Sequence, residues 1–151
     1  MKNLSNIEEI LDFAISNEQG AVDFYTKLAA KASSEAMKTM FTEFAGEEMG
    51  HKAKLLEVKE TGIFEKSFEN FLDLKISDYV VKVPSGPDMT YNDALVLAMN
   101  REKASFRLYT RLAEKSSDSS LRDLFRMLAQ EEAKHKLRFE IEYDEYVLKD
   151  N

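Results

Sequence analysis

The feature that most limits how this chain can fold is an internal repeat with a spacing of 84 residues. Residues 18–55 align with residues 102–139 without gaps, and 13 of the 38 positions are identical. The hexapeptides EEMGHK (47–52) and EEAKHK (131–136) fall within this alignment and contain both histidines of the chain. A duplication of this length predicts two copies of one supersecondary unit.

Each copy is predicted to be a helical hairpin, because apolar residues recur every three or four positions in two long segments. The four inward faces are Leu11, Ala14, Ala21, Tyr25, Leu28 and Ala32; Met37, Met40, Phe41, Phe44, Leu55 and Val58; Leu95, Met99, Phe106, Tyr109 and Leu112; and Leu121, Leu124, Phe125, Leu128 and Phe139. Short polar breaks at 31–36 (KASSEA) and 115–120 (KSSDSS) separate the helices of each pair. The first hairpin is expected at about 5–61 and the second at about 90–148.

The segment between the copies, about 62–89, is expected to be a long crossover within a single domain spanning 1–151. It contains both prolines of the chain. Residues 64–74 (FEKSFENFLDL) are predicted to form a short helix and residues 79–83 (YVVKV) an extended piece. Ser5 with Glu8 and Thr90 with Asp93 are typical helix-capping pairs at the starts of the two hairpins.

Composition excludes several classes of function. A net charge of −7 argues against nucleic-acid or anionic-membrane partners, which require a basic surface. No apolar run is long enough for a transmembrane helix, and the N-terminal residues lack the apolar core of a signal peptide. The chain has no cysteine, so disulfides, thiolate metal sites and a cysteine nucleophile are excluded, and a cytoplasmic location is expected.

Six ionisable residues interrupt the apolar faces at equivalent positions of the repeat: Glu18, Glu48 and His51, then Glu102, Glu132 and His135. Buried carboxylates are costly unless they are paired or bind a metal. Two divalent cations would balance the −4 charge of the four glutamates, whereas neutral imidazoles add no charge. Two alternatives stay open, namely glutamates paired with lysine or arginine and histidines that merely pack in the core.

The ligand candidates of each hairpin fall at the same height. Glu18 precedes Ser34 by 16 residues and Glu48 follows it by 14, while Glu102 and Glu132 stand at the same separations from Asp118. At about 1.5 Å per residue, each glutamate lies roughly 22 Å from its turn. The predicted fold is therefore an all-α four-helix bundle of two duplicated hairpins, with a crossover long enough to return along the bundle.

One glutamate from each of two helices and Glu-x-x-His from each of the other two is the pattern of di-iron carboxylate bundles. In these motifs the sequence resembles the rubrerythrin-type, ferritin-like di-iron proteins over nearly the whole chain outside the crossover. The resemblance implies that Glu18 and Glu102 are terminal ligands, that Glu48 and Glu132 bridge the metals, and that His51 and His135 bind one metal each. It also matches Tyr25 and Tyr109 to the tyrosines that hydrogen-bond ligand carboxylates in that family.

The resemblance further implies two iron ions, with manganese as an alternative, and reduction of hydrogen peroxide or dioxygen. Electrons would come from a separate donor such as a rubredoxin-like protein, and a homodimer is expected. The chain departs from the family pattern in lacking the four cysteines of a rubredoxin-like site and in having Ser105 where the family has an extra glutamate. Iron oxidation and storage, or a non-catalytic metal-binding bundle, are the alternative functions.

The neighbouring glutamates leave one further alternative. Glu47 and Glu131 each precede a histidine by four residues, a spacing that also places two side chains on one helical face. They are expected to be solvated or to lie outside the ligand shell, but either could replace Glu48 or Glu132 as a ligand.

Overall fold

The computed structural model describes residues 7–67, 74–82 and 89–148. Four long helices make up most of these residues: α1 (Ile7–Lys31), α2 (Glu35–Thr61), α4 (Tyr91–Lys115) and α5 (Ser119–Tyr143). The shorter elements are α3 (Ile63–Ser67), a 3-10 helix (Ile76–Tyr79) and a π-helical turn (Asp144–Leu148). Within these described ranges there is no β-strand, and no helix is both long and apolar enough to cross a membrane.

The chain divides into two compact units, residues 1–76 and 77–151. In the first unit α1 packs against α2, and in the second α4 packs against α5. The predicted all-α class, with long helices packed in pairs as duplicated hairpins, is confirmed. Both predicted polar breaks lie between paired helices.

In the first unit, local signals determine where α2 begins and ends. The hydroxyl of Ser34 accepts a hydrogen bond from the backbone N–H of Met37 at 3.2 Å, which satisfies one of the free amides of the first turn. At the other end, Gly62 adopts φ 73°, a left-handed conformation that costs glycine little and terminates the helix. An exposed ion pair between Lys59 and Asp12, at 2.8 Å, also joins α2 to α1.

The interior of the first unit is built around aromatic side chains. Tyr25 on α1 and Phe41 on α2 are fully buried. The ring of Tyr25 meets that of Phe44 edge-on, with a centroid distance of 6.3 Å, which is a favourable aromatic geometry. The predicted inward faces of α1 and α2 therefore supply this core.

In the second unit the predicted capping pair is confirmed. The hydroxyl of Thr90 accepts from the N–H of Asp93 at 3.0 Å, and the Asp93 carboxylate accepts from the N–H of Thr90 at 3.3 Å. Asp118 caps α5 by accepting from the N–H of Leu121 at 2.8 Å. Phe106, predicted on the inward face of α4, is instead 38% exposed. The buried residues of α4 form a face on which Glu102 lies to one side, and Phe106 lies further out on that same side. Phe106 is therefore at the edge of the buried face.

The crossover is only partly described. Helix α3 covers the start of the predicted helix at 64–74, while residues 68–73 lie outside the described residues. Tyr79, predicted to begin an extended piece, is the last residue of the 3-10 helix, in line with the turn-forming Ser77 and Asp78 before it. Ser5, both prolines and Val83 also lie outside the described residues, so the capping role of Ser5 stays a prediction.

Candidate metal-binding clusters

The first unit contains a buried group of ionisable side chains, named here the first Glu–Glu–His cluster: Glu18 on α1 with Glu48 and His51 on α2. All three side chains are at most 2% exposed. The Nδ1 atom of His51 lies 2.9 Å from Oε1 of Glu48 and 3.6 Å from Oε2 of Glu18. One ligand atom from each residue lies within 4.8 Å of the others, so the three can bind one ion together.

The second unit repeats this arrangement in the second Glu–Glu–His cluster: Glu102 on α4 with Glu132 and His135 on α5. These residues are also at most 2% exposed. The Nδ1 atom of His135 lies 3.4 Å from Oε2 of Glu102 and 3.6 Å from Oε1 of Glu132. One ligand atom from each of these three residues also lies within 4.8 Å of the others.

Helix geometry explains why each cluster forms. Residues three apart on a helix share a face, so Glu48 and His51 point to the same side of α2. Glu18 lies near the middle of α1, at the height the turn spacing predicts, and it completes the cluster from the facing helix. The duplication reproduces this geometry in α4 and α5.

Burial and mutual contact change the protonation of the first cluster. Burial raises the pKa of Glu18 to about 8, and the charge of Glu48 acts in the same direction, against a smaller opposing effect of the nearby His51. Burial by itself lowers the pKa of His51, but interactions with the neighbouring Glu18 and Glu48 outweigh it and raise the pKa to about 11. Near neutral pH without metal, Glu18 and His51 therefore each hold a proton that a cation must displace.

The donor atoms fit hard or borderline divalent ions. Each cluster offers two carboxylates and one imidazole, a set that suits iron or manganese and that contains no thiolate. The Nδ1 atoms are the histidine nitrogens directed at the carboxylate oxygens, so they are the ones placed to bind a metal. The clusters thus contain the residues that a carboxylate-bound metal requires.

The neighbouring glutamates differ in exposure. Glu47 is exposed and Glu131 is partly exposed, whereas Glu48 and Glu132 are each 1% exposed. Burial favours the second glutamate of each pair as the ligand. It also agrees with the expectation that Glu47 and Glu131 face solvent more than the cluster.

The two tyrosines matched to the family lie deep in the helix pairs. Tyr25 is fully buried beside Phe24 and Phe44, and Tyr109 is stacked on Phe125 with a centroid distance of 6.1 Å. These contacts fix the rings. Hydrogen bonds from the hydroxyls to ligand carboxylates stay a prediction.

Two polar residues beside the first cluster were not predicted from the sequence. Lys52, which follows His51, donates a hydrogen bond to Oε1 of Gln19, which follows Glu18, at 2.6 Å. Each residue is adjacent to a candidate ligand, and Lys52 is identical to Lys136 in the repeat. The sequence shows only that Gln19 and Lys52 are next to candidate ligands. It does not show that their side chains form a hydrogen bond between α1 and α2.

Paired helices that carry a buried Glu on one helix and Glu-x-x-His on the other are typical of helical metal-binding carboxylate proteins, and this chain has that arrangement twice. The sequence matches the Rubrerythrin family over residues 9–143, which is most of the chain. The chain therefore belongs to the rubrerythrin family of ferritin-like di-iron proteins. No significant match was found among curated proteins or among solved structures.

Proposed function

We propose that this protein is a di-iron oxidoreductase that reduces hydrogen peroxide or dioxygen with electrons from a separate donor. The observation that carries the proposal is the presence of two equivalent buried Glu–Glu–His clusters in a member of the rubrerythrin family. A single Glu-x-x-His motif occurs often by chance on a helix, whereas two equivalent copies, each beside a buried glutamate of the facing helix, favour a pair of metal ions.

The charge balance supports two divalent ions. The two clusters together contain four carboxylates, whose full ionisation gives −4, and two M²⁺ ions supply +4. Following the family pattern, Glu18 and Glu102 would each hold one metal, Glu48 and Glu132 would serve both metals, and His51 and His135 would each hold one. Iron is proposed as the native metal, and manganese fits the same donors.

Two ferrous ions held by these clusters would supply the two electrons that reduction of a peroxide bond requires. The overall change is H₂O₂ + 2 Fe²⁺ + 2 H⁺ → 2 Fe³⁺ + 2 H₂O. The candidate ligand side chains are at most 2% exposed, so they would keep bulk water away from bound ions. Glu18 and His51 would have to release the protons that they hold without metal before either could act as a ligand.

Repeated turnover requires a source of electrons. The chain has no cysteine, so a rubredoxin-like four-cysteine iron site cannot form from its own residues. A separate reductant, such as a rubredoxin-like protein, is therefore part of the proposal.

Anaerobic loading with Fe²⁺ followed by rapid mixing with H₂O₂ or O₂ tests the function. The proposal expects one H₂O₂ consumed per two Fe²⁺ oxidised, a single turnover without reductant, and repeated turnover when a rubredoxin-like donor is added. Growth of a ferric mineral in particles much larger than a dimer would indicate iron storage instead. Bound iron that reacts with neither oxidant would indicate a non-catalytic metal-binding bundle.

A further inference from the structure

A chain of polar contacts connects α1 to α2 beside the first cluster. The ammonium of Lys52 on α2 donates to Oε1 of Gln19 on α1 at 2.6 Å. The amide nitrogen of Gln19 donates in turn to Oδ1 of Asp23, one turn further along α1, at 2.9 Å. Both groups of the Gln19 amide are thus engaged, which restricts its rotation.

This contact, named here the Lys52–Gln19 tie, lies at the height of the candidate ligands. Gln19 directly follows Glu18, and Lys52 directly follows His51. Lys52 and Gln19 are both partly buried. A hydrogen bond to a charged donor that is partly shielded from water restrains the two helices where the ligands leave them.

Among the described residues of the second unit, the two positions equivalent to Gln19 and Lys52 do not form this tie. Lys103 stands at the position of Gln19 and is exposed, and Lys136 stands at the position of Lys52. An ammonium cannot accept a hydrogen bond, so these two lysines cannot pair. Lys136 instead donates a hydrogen bond to Glu140 on its own helix. Arg107 stands at the position of Asp23, and its guanidinium carbon lies 5.4 Å from the centroid of the Tyr79 ring.

The distances within the two clusters also differ. The histidine nitrogen lies 2.9 Å from its Glu-x-x-His partner in the first cluster and 3.6 Å from it in the second, whereas its distance to the glutamate of the facing helix is 3.6 Å in the first cluster and 3.4 Å in the second. The closer contact of the first cluster therefore lies within α2 and does not measure the interhelical tie. Sequence duplication therefore leaves two clusters with the same ligands but different supporting contacts.

We infer that the Lys52–Gln19 tie makes the two metal positions unequal, so that the first Glu–Glu–His cluster takes up the first divalent ion. The inference rests on the proposed two-metal function. Helices already held at the correct separation lose less freedom when an ion binds, and this raises affinity at that cluster. Gln19 and Lys52 are positioning residues, because they act through the helices that carry the ligands.

The charge of Lys52 and the tie it forms have opposite effects on cation affinity, so a Lys52 variant can tell them apart. Lys52→Met removes a positive charge near the metal position, which by electrostatics alone strengthens cation binding. Loss of the tie weakens it. A weaker first binding step in this variant can therefore be attributed to the tie, while Lys136→Met removes the same charge in the second unit without breaking an interhelical contact.

The probe is Co²⁺, titrated into the full metal-free chain and followed by its visible absorption, with circular dichroism as a check on helix content. In the wild type we expect two resolved binding steps. Lys52→Met and the uncharged Gln19→Leu should each weaken the first step by about three- to tenfold, below the effect of removing a partner bonded directly to a ligand. Gln19→Glu keeps an acceptor for Lys52 and adds a negative charge, so its first step should be at least as tight as that of the wild type.

The controls separate the inference from the proposed function. Lys136→Met and Lys103→Leu should leave the first step at wild-type affinity or strengthen it. Two Co²⁺ bound in the wild type, with a first step unchanged in Lys52→Met and Gln19→Leu, would overturn the inference alone. A wild-type chain that binds fewer than two Co²⁺ would overturn both the inference and the two-metal function.

Discussion

The Nδ1 atom of His51 lies 2.9 Å from Oε1 of Glu48, three residues earlier on the same helix. Oε2 of Glu18 lies 3.6 Å from the same nitrogen, and these two buried glutamates raise the pKa of His51, so without metal the imidazole holds its proton. The same nitrogen must lose that proton to bind a cation. Metal binding and protonation therefore compete for one atom of His51.

This competition predicts how pH affects stability. The pKa of Glu18 rises from 4.5 to about 8 on folding, and that of His51 from 6.5 to about 11. A raised pKa stabilises the folded state fully below the unfolded value, and the contribution disappears as pH rises through the folded value. The metal-free protein should therefore lose stability relative to the metal-loaded protein between about pH 4.5 and 8, with a further loss above that range. Thermal melts that show a constant difference across this range would contradict the prediction.

Each histidine should be required for one metal. His51→Ala and His135→Ala should each lower the iron content at saturation from two ions per chain to about one, because each removes the imidazole of one cluster. Metal analysis of the loaded proteins measures this, with the exposed Met49→Ala as a control on the same helix as His51. A histidine variant that keeps two ions at wild-type affinity would refute the ligand assignment.

The adjacent glutamates should differ in importance. Glu48→Gln and Glu132→Gln should reduce activity by at least about tenfold more than Glu47→Gln and Glu131→Gln, since even the loss of a residue that only supports a metal ligand has an effect of that size. An amide carries no negative charge and bridges metals poorly, and the first pair is buried whereas Glu47 and Glu131 are exposed or partly exposed. Rates of peroxide reduction measure this. Equal losses in both pairs would show that the ligand register is wrong.

The buried tyrosine hydroxyls should support the ligands. Tyr25→Phe and Tyr109→Phe keep rings that pack against Phe44 and Phe125, so helix content should stay unchanged. If the hydroxyls bond ligand carboxylates, each change should lower metal affinity by about tenfold or more. Metal titration with circular dichroism separates the two effects, and wild-type affinity in both variants would leave the tyrosines as core residues only.

The repeat and its periodicity predict most of the fold and the composition of both clusters. The helix pairs, the polar breaks and the Thr90 cap depend on local chemistry, which the sequence carries directly. The Lys52–Gln19 tie was not predictable in the same way, since it depends on how far apart two helices lie. Tyr79 was misplaced because a short aromatic and β-branched run resembles a strand, while the preceding turn residues extend a 3-10 helix. The crossover lies outside the repeat, so its secondary structure could not be checked against a second copy of the same pattern.

Ser105 offers a test of the oxidant preference. It lies three residues after Glu102 on α4 and is partly buried, so its side chain lies close to the face that carries this ligand. The family resemblance places an additional glutamate at this position. Ser105→Glu should therefore add a carboxylate near the second cluster and increase the ratio of the H₂O₂ rate to the O₂ rate, which should already exceed one in the wild type. Stopped-flow mixing of the diferrous protein with each oxidant measures this ratio, and Ser105→Gln, which adds similar volume without charge, should leave it near the wild-type value. A ratio that rises equally in both variants would assign the effect to side-chain size, and a wild-type protein that reacts faster with O₂ would contradict the peroxide preference.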